Sequence, residues 1–332
     1  MALDHNHCVR GRAGIRLAAG VGVLLALACR APLELKTREE TIPPGAVKML
    51  PAMDPFPPVL ASAEWDEPVP MPGPVNTAGG EDSPFITPDG SEFYFFFTPD
   101  VSVPVERQLL DGATGMWFCR REGGQWTEPE RVVLNNDISL DGAQYVSGDT
   151  MWFASVRKGN YGEIDWYIAV RKNGKWGGWR NAGREVNVKL KPGELHFSAD
   201  HRTMFYGKAG QYGGLDICRS ERTESGWTDP VNLGPLVNSN RDDGQPFLSS
   251  DGRELWFTGW SDTLMGPCVY RCRKDSAGEW QAAELIVGRF AGEPTLDDSG
   301  NLYFVHHFYS GGDSSRMVEA DIYYCRRKAG TR

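Results

Sequence analysis

Seven carboxylates recur at one point of an internal repeat: Glu81, Asp82, Asp141, Glu194, Asp242, Asp243 and Glu293, each ahead of a short run such as Ser83-Pro84-Phe85-Ile86 or Gln245-Pro246-Phe247-Leu248. Carboxyl groups gathered around one axis raise one another's proton affinity, so such a cluster can hold a proton and a charge together, or take a cation. Glycosidic cleavage requires the same pairing of one protonated and one ionised carboxyl group, about 5 to 5.5 Å apart for retention and about 6.5 to 9.5 Å for inversion. Glu194, Glu293, Asp141 and Asp243 are the candidates for that chemistry. Glu194 and Glu293 stand out because the aligned places hold Ser83, Ala143 and Gln245, so the repeat itself does not dictate an acid there.

A second set suits ligand contact: Glu81, Arg157, Tyr161, Tyr212, Trp260, His307 and Tyr309, most of them in the long segments 156–164, 260–267 and 307–320. Polar groups and aromatics on long loops are the usual material of a binding face. His306 and His307 are adjacent on a strand and point to opposite sides, so they do not chelate one ion, and no metal ligand set is assigned. No cofactor is assigned either, although a Ca²⁺ ion on the axis is compatible with the acids. No glycine-rich phosphate loop and no G-x-S-x-G elbow occurs.

These residues must be positioned by a repeat of about fifty residues. Trp126, Trp176, Trp227 and Trp280 mark it, with Trp65 ahead of them, and a period of this length points to a propeller or solenoid. After each of the first four units' tryptophans comes an asparagine (Asn76, Asn136, Asn187, Asn238), then the acids, a short strand and a tight turn such as Pro88-Asp89-Gly90 or Ser250-Asp251-Gly252. Asp-Gly fits a two-residue hairpin. An aromatic strand follows, then a variable loop and a third strand such as Asp165-Trp166-Tyr167-Ile168 or Asp321-Ile322-Tyr323-Tyr324. Four antiparallel strands per repeat make one blade.

The fifth unit stops after its third strand, and Trp65 to Asn76 parallels Trp227 to Asn238 with Trp, Pro, Val, Val and Asn in register. The spacing therefore predicts an all-β, five-bladed β-propeller over 63–328, closed by an N-terminal outer strand, Trp65 to Pro70, on the strand around Ile322 to Cys325. Closure of this kind removes an unpaired sheet edge. Asp165, Asp216 and Asp321 share a column beside glycine-rich loops and read as turn-capping carboxylates. Cys119, Cys272 and Cys325 share a small packing position, and the repeat tryptophans read as blade packing.

The units resemble the TolB-type, WD-like β-propeller repeat of bacterial envelope proteins, on Pro88-Asp89-Gly90-Ser91-Glu92-Phe93-Tyr94-Phe95, Gly213-Gly214-Leu215-Asp216-Ile217 and Ala320-Asp321-Ile322-Tyr323. The resemblance implies a fold and an envelope setting, and it does not by itself imply an activity.

The chain has 332 residues and a net charge of −9, which disfavours a nucleic-acid partner that needs a cationic face. Arg10, Arg12 and Arg16 precede the apolar stretch Leu17 to Ala28, which reads as a signal peptide over 1–28. Cys29 follows Leu25-Ala26-Leu27-Ala28 and resembles the acylated cysteine of bacterial lipoproteins, so the expected address is a periplasmic or outer-membrane lipoprotein, or a secreted protein if Cys29 is not lipidated. Residues 29–62 are proline-rich and read as a tether. Two functions remain open. One is a non-catalytic propeller binding an envelope protein, peptidoglycan or glycan, with membrane contact only through the lipid. The other is a glycoside hydrolase-like enzyme, similar to arabinanase-like glycosidases in blade number and acid placement.

Overall fold

Each hairpin turn is set by a residue that tolerates a left-handed backbone. Gly90, Gly252 and Gly300 sit at φ 69°, 70° and 80°, while His201 occupies the same place in the third unit at φ 55°. Asp89 and Asp251 fix their turns by accepting the backbone N–H of Ser91 and Arg253, both at 3.0 Å. The strands that follow bury their aromatics completely, as with Phe93, Tyr94, Phe95 and Phe97. The computed structural model describes residues 35–108, 111–134, 139–311 and 316–330. The segment read as a signal peptide, Cys29 and Asn136 lie outside the described residues.

The architecture is the all-β propeller read from the sequence. Among the described residues the pairings form four sheets, the largest of which joins two antiparallel groups through one parallel bridge, Ala320↔Gly80; the antiparallel groups are units 1 to 5. Unit 1 comprises Gly80–Ile86, Glu92–Thr98 and Gly115–Glu122, with outer pieces Gln125–Trp126 and Glu130–Arg131. Unit 2 is Leu140–Ser147, Thr150–Val156, Asp165–Lys172 and Lys175–Asn181; unit 3 is Leu195–Phe197, Thr203–Ala209 and Leu215–Thr223, with Gly226–Trp227 and Val231–Asn232 outside. Unit 4 is Gly244–Leu248, Glu254–Ser261, Gly266–Arg273 and Glu284–Gly288; unit 5 is Ala291–Leu296, Leu302–Tyr309 and Met317–Cys325. The innermost strand of each unit touches that of the next, and the last touches the first.

Unit 5 takes its outer edge from the start of the chain. Val69 pairs with Tyr324, Pro70 with Tyr323, and Trp65 with Arg327. Trp65 is fully buried, donates its indole N–H to Gly300 O at 2.9 Å and meets Trp256 edge-on at 5.4 Å. The repeat asparagines explain why a two-residue outer strand suffices. Asn76, Asn187 and Asn238 each use both ends of the side-chain amide on a third strand, accepting from the backbone N–H of Ile322, Trp166 and Ile217 and donating to the carbonyl of the same residue. The side chain completes a ladder the backbone leaves short.

The segment read as a tether does not hang free over its described part. Residues 38–60 form a strap across units 1, 5 and 4. Arg38, 1% exposed, sits over the rings of Phe95, Phe97 and Trp117 and donates to Val75 O at 2.6 Å and Glu81 at 3.2 Å. Lys48 reaches Glu319 and Asp321. Asp54 bonds His306 Nε2 at 2.8 Å, with both side chains buried. Val59–Leu60 adds a fifth strand to unit 4 through Val59↔Gly288 and Leu60↔Val287. These attachments are single ionic contacts and one short strand, so they leave no apolar period in the sequence.

Candidate functional site

The innermost strands carry the site because four of them are bulged. Pairing slips between Asp82 and Phe85, Gly142 and Tyr145, Gly244 and Phe247, and Gly292 and Thr295. The extra residue in each is left-handed: Ser83 at φ 47°, Ala143 at 51°, Gln245 at 53° and Glu293 at 55°. Non-glycine residues held there cost about 1 kcal/mol or more each, and a bulge re-aims the chain locally. Here the bulges face the axis, where Ser83, Gln144, Glu194, His196, Gln245 and Glu293 line a cavity of about 50 Å³.

The polar groups in this well are unevenly satisfied. Gln245 Nε2 donates to Glu293 Oε1 at 2.7 Å and lies 3.4 Å from Glu194 Oε1. Gln144, 6% exposed, donates to Ser83 O at 2.6 Å, yet its Oε1 has no partner among the described residues. Glu293, besides the Gln245 amide, meets Asp82 and the Ser83 side chain. Behind the well, His307 Nε2 lies 3.9 Å from Asp82 Oδ1. Burial, followed by the charges of Asp82 and Glu194, pushes the Glu293 carboxyl well above its ordinary value. Burial acts the same way on Asp82, but the nearby His307 and the Ser83 N–H, donated at 2.8 Å, outweigh it and hold that carboxyl below its ordinary range. Of this interacting pair, Glu293 is the acid that holds its proton to the higher pH. Burial pushes His196 down to about 3, so it stays neutral and accepts the Leu248 N–H at 3.3 Å.

Of the four acids expected to carry chemistry, the fold brings Glu194 and Glu293 to the axis and does not bring the other two. Asp141 is locked by Arg157 at 2.6 Å and Ser155 at 2.6 Å. Asp243 accepts the N–H and hydroxyl of Ser239 at 2.6 and 2.8 Å, and burial raises it to about 6. Both hold entry loops in place. Two expected ligand contacts are also internal. Glu81 is fully buried against Arg38 and Thr77, and Arg157 is sandwiched by Phe153, Tyr167 and, at 4.4 Å, Trp179.

The aromatic contacts fare differently. Tyr161 and Tyr212 are 48% and 41% exposed at the tips of matched loops. Asp165 accepts the N–H of Tyr161 and Gly162 at 2.8 and 3.2 Å, and Asp216 those of Gln211, Tyr212 and Gly213 at 2.6, 2.9 and 3.1 Å. A Cβ on Gly213 would lie 1.6 Å from Arg241 O, so this loop is also seated tightly on the next unit. Trp260 is half-buried and donates to Asp262 at 3.1 Å. Tyr309 packs against Phe290 at 4.4 Å, and Phe290 against Phe56 of the strap at 5.7 Å. The strap runs over units 1, 5 and 4, whereas the loops that carry Tyr161 and Tyr212 belong to units 2 and 3. Gln144, Gln245 and Asp82 belong to the axial set too; a glutamine or acid at or beside a bulge was the available signal for them.

No family model and no curated protein matches the chain. Among solved structures it is similar to a thermostable family-43 glycoside hydrolase, with 14% identity and a TM-score of 0.47 over 78% of this chain and 96% of that one. It is similar to a putative TolB from Agrobacterium tumefaciens, with 15% identity and a TM-score of 0.41 over 76% and 91%. An α-L-arabinofuranosidase from Podospora anserina, in complex with cellotriose, shares 10% identity with a TM-score of 0.46 over 80% and 95%.

Proposed function

We propose that this chain is a non-catalytic binding propeller of the cell envelope, engaging a protein, peptidoglycan or glycan through the loop face of units 2 and 3, with Cys29 as its lipid attachment. The observation that carries this reading is the size of the axial well. Its volume of about 50 Å³ compares with roughly 300 to 1,000 Å³ for a small-molecule site, so it does not seat a sugar ring. The open loops, in contrast, hold Tyr161 and Tyr212 outward on backbones fixed by buried aspartates, and rigid tyrosines supply contact area at low entropic cost.

The test is to incubate purified propeller with a glycan array and with envelope extract. The reading expects saturable capture that weakens on Tyr161→Ala and Tyr212→Ala, and fails if capture is absent or indifferent to both. One observation favours the hydrolase alternative: Asp82 is held ionised beside a protonated Glu293, the division of labour an acid/base pair needs. That alternative expects aryl-glycoside turnover abolished by Glu194→Gln. Palmitate labelling that vanishes in Cys29→Ala tests the anchor.

A further inference from the structure

The axial well has acceptors in excess of donors. Gln144 Oε1 is buried without a donor among the described residues, and Gln144 lines the same cavity as Glu194 and Glu293. Buried acceptors left unpaired are costly and ask for a hydrogen-bonding guest. The guest has to be small: a water-sized group needs about 10 to 15 Å³ in such a cavity, so 50 Å³ takes roughly three to five such groups in a row. It has to bring protons, because the unpaired atom is an amide oxygen and two carboxyl groups, Glu194 and Glu293, line the same well. A cationic guest suits it best, because Glu194 and Glu293 line the well, Asp82 lies against Glu293 with His307 beside it, and the remaining polar lining (Ser83, Gln144, His196, Gln245) is neutral.

A metal ion fits this description poorly. No group of three or more His, Cys, Asp or Glu side chains among the described residues is placed to hold one, and the Gln245 amide stands between Glu194 and Glu293. Metal ligands converge within about 2.0 to 2.6 Å of the ion, whereas an ammonium group donates hydrogen bonds of about 2.8 Å to acceptors spread around it.

We infer that the axial well binds a protonated primary amine, presented by a partner docked on the loop face as a lysine tip or a free amino terminus. The inference rests on the binding-module reading and names what that partner inserts. Glu194, Gln245 and Glu293 are partly exposed, so the well is reached from solvent. On binding, the ammonium takes the place of the proton that Glu293 holds against Asp82, and that proton leaves to solvent. Affinity therefore rises with pH until the amine itself deprotonates near about 10.4.

The test uses n-butylammonium chloride with the full chain, followed by saturation-transfer NMR at pH 6 and pH 8. Expected is saturable binding, stronger at pH 8, and roughly tenfold weaker or more in Glu194→Gln and Glu293→Gln. Tetramethylammonium, which has no N–H, should not compete. Nα-acetyl-lysine amide and glycine amide separate the side-chain source from the amino-terminal one. Should either acid variant lose its fold, judged by circular dichroism, Gln144→Ala and the tetramethylammonium comparison decide. No saturable binding, equal binding by tetramethylammonium, or unchanged affinity in folded variants overturns the inference. Partner capture from envelope extract without butylammonium binding overturns this inference alone, whereas butylammonium binding with no partner captured overturns the binding-module reading alone.

Discussion

Units 3 and 5 descend from the same repeat and are held together in opposite ways. Unit 3 is self-sufficient: its outer strand follows directly in the chain, and Asp216 caps its own loop through three backbone N–H groups and Asn232 at 2.7 Å. Unit 5 borrows. Its outer strand comes from Val69–Pro70, and the equivalent aspartate, Asp321, is met by Lys48. The same residue in the same column is therefore pushed in opposite directions. Backbone N–H groups outweigh burial and hold Asp216 below its ordinary range. Burial raises Asp321 to about 8 despite Lys48, with Glu81 and Glu319 adding to the rise. The residue type is set by the repeat, but its chemistry is set by what fills the space above it.

The largest effect should come from removing the borrowed strand. Trp65→Ala deletes a fully buried side chain and should cost about 3 to 5 kcal/mol in urea unfolding, with hydrogen exchange rising first in 317–325 while unit 3 stays protected. Equal loss of protection in both units would erase the contrast. Next, Asp216→Ala leaves three backbone donors and an amide unpaired and should cost about 2 to 3 kcal/mol. Asp321→Asn, which removes a carboxyl that burial already disfavours as a charge, should cost far less by the same measurement.

The pH dependences should have opposite signs. Asp321 is raised from 3.8 to about 8, so the fold binds its proton more tightly than the unfolded chain does. Its contribution is complete below pH 3.8, declines between there and about 8, and is gone above. Strap protection should accordingly weaken from pH 6 to pH 9, and Asp321→Asn should flatten that slope. Asp216 is lowered, so its contribution is present above pH 3.8 and is lost as the pH falls below it; the loop 210–216 should loosen first in acid. Lys48→Met should expose 38–60 to protease while leaving unit 3 untouched. The smallest effect is Tyr212→Ala: its side chain is exposed, and stability should change by no more than about 0.5 kcal/mol even as partner capture falls.

The parts of this contrast that could be read in the sequence are those encoded by repetition. Trp65 and Asn76 align with Trp227 and Asn238, so the closure was legible. Asp165 and Asp216 could be read as caps because each is followed by a strand and preceded by its own glycines. What escaped is what repetition does not encode. Arg38, Lys48 and Asp54 act through long-range partners, Glu81 for Arg38, Glu319 and Asp321 for Lys48 and His306 for Asp54, and isolated ionic contacts have no period. Glu194 and Glu293 could be told from Asp141 and Asp243, because they fall in the column of Ser83, Ala143 and Gln245; what the sequence did not carry is that Asp141 is held by Arg157 and Ser155 and Asp243 by Ser239.

The strap also shortens a leash. If a lipid is attached at position 29, only eight residues separate it from Arg38, whose guanidinium is sealed inside unit 1, and the nine steps from one to the other stretch to about 30 Å. The wheel would then ride close to its bilayer with units 1 and 5 inboard, swinging its two tyrosine-tipped sectors outboard toward whatever passes.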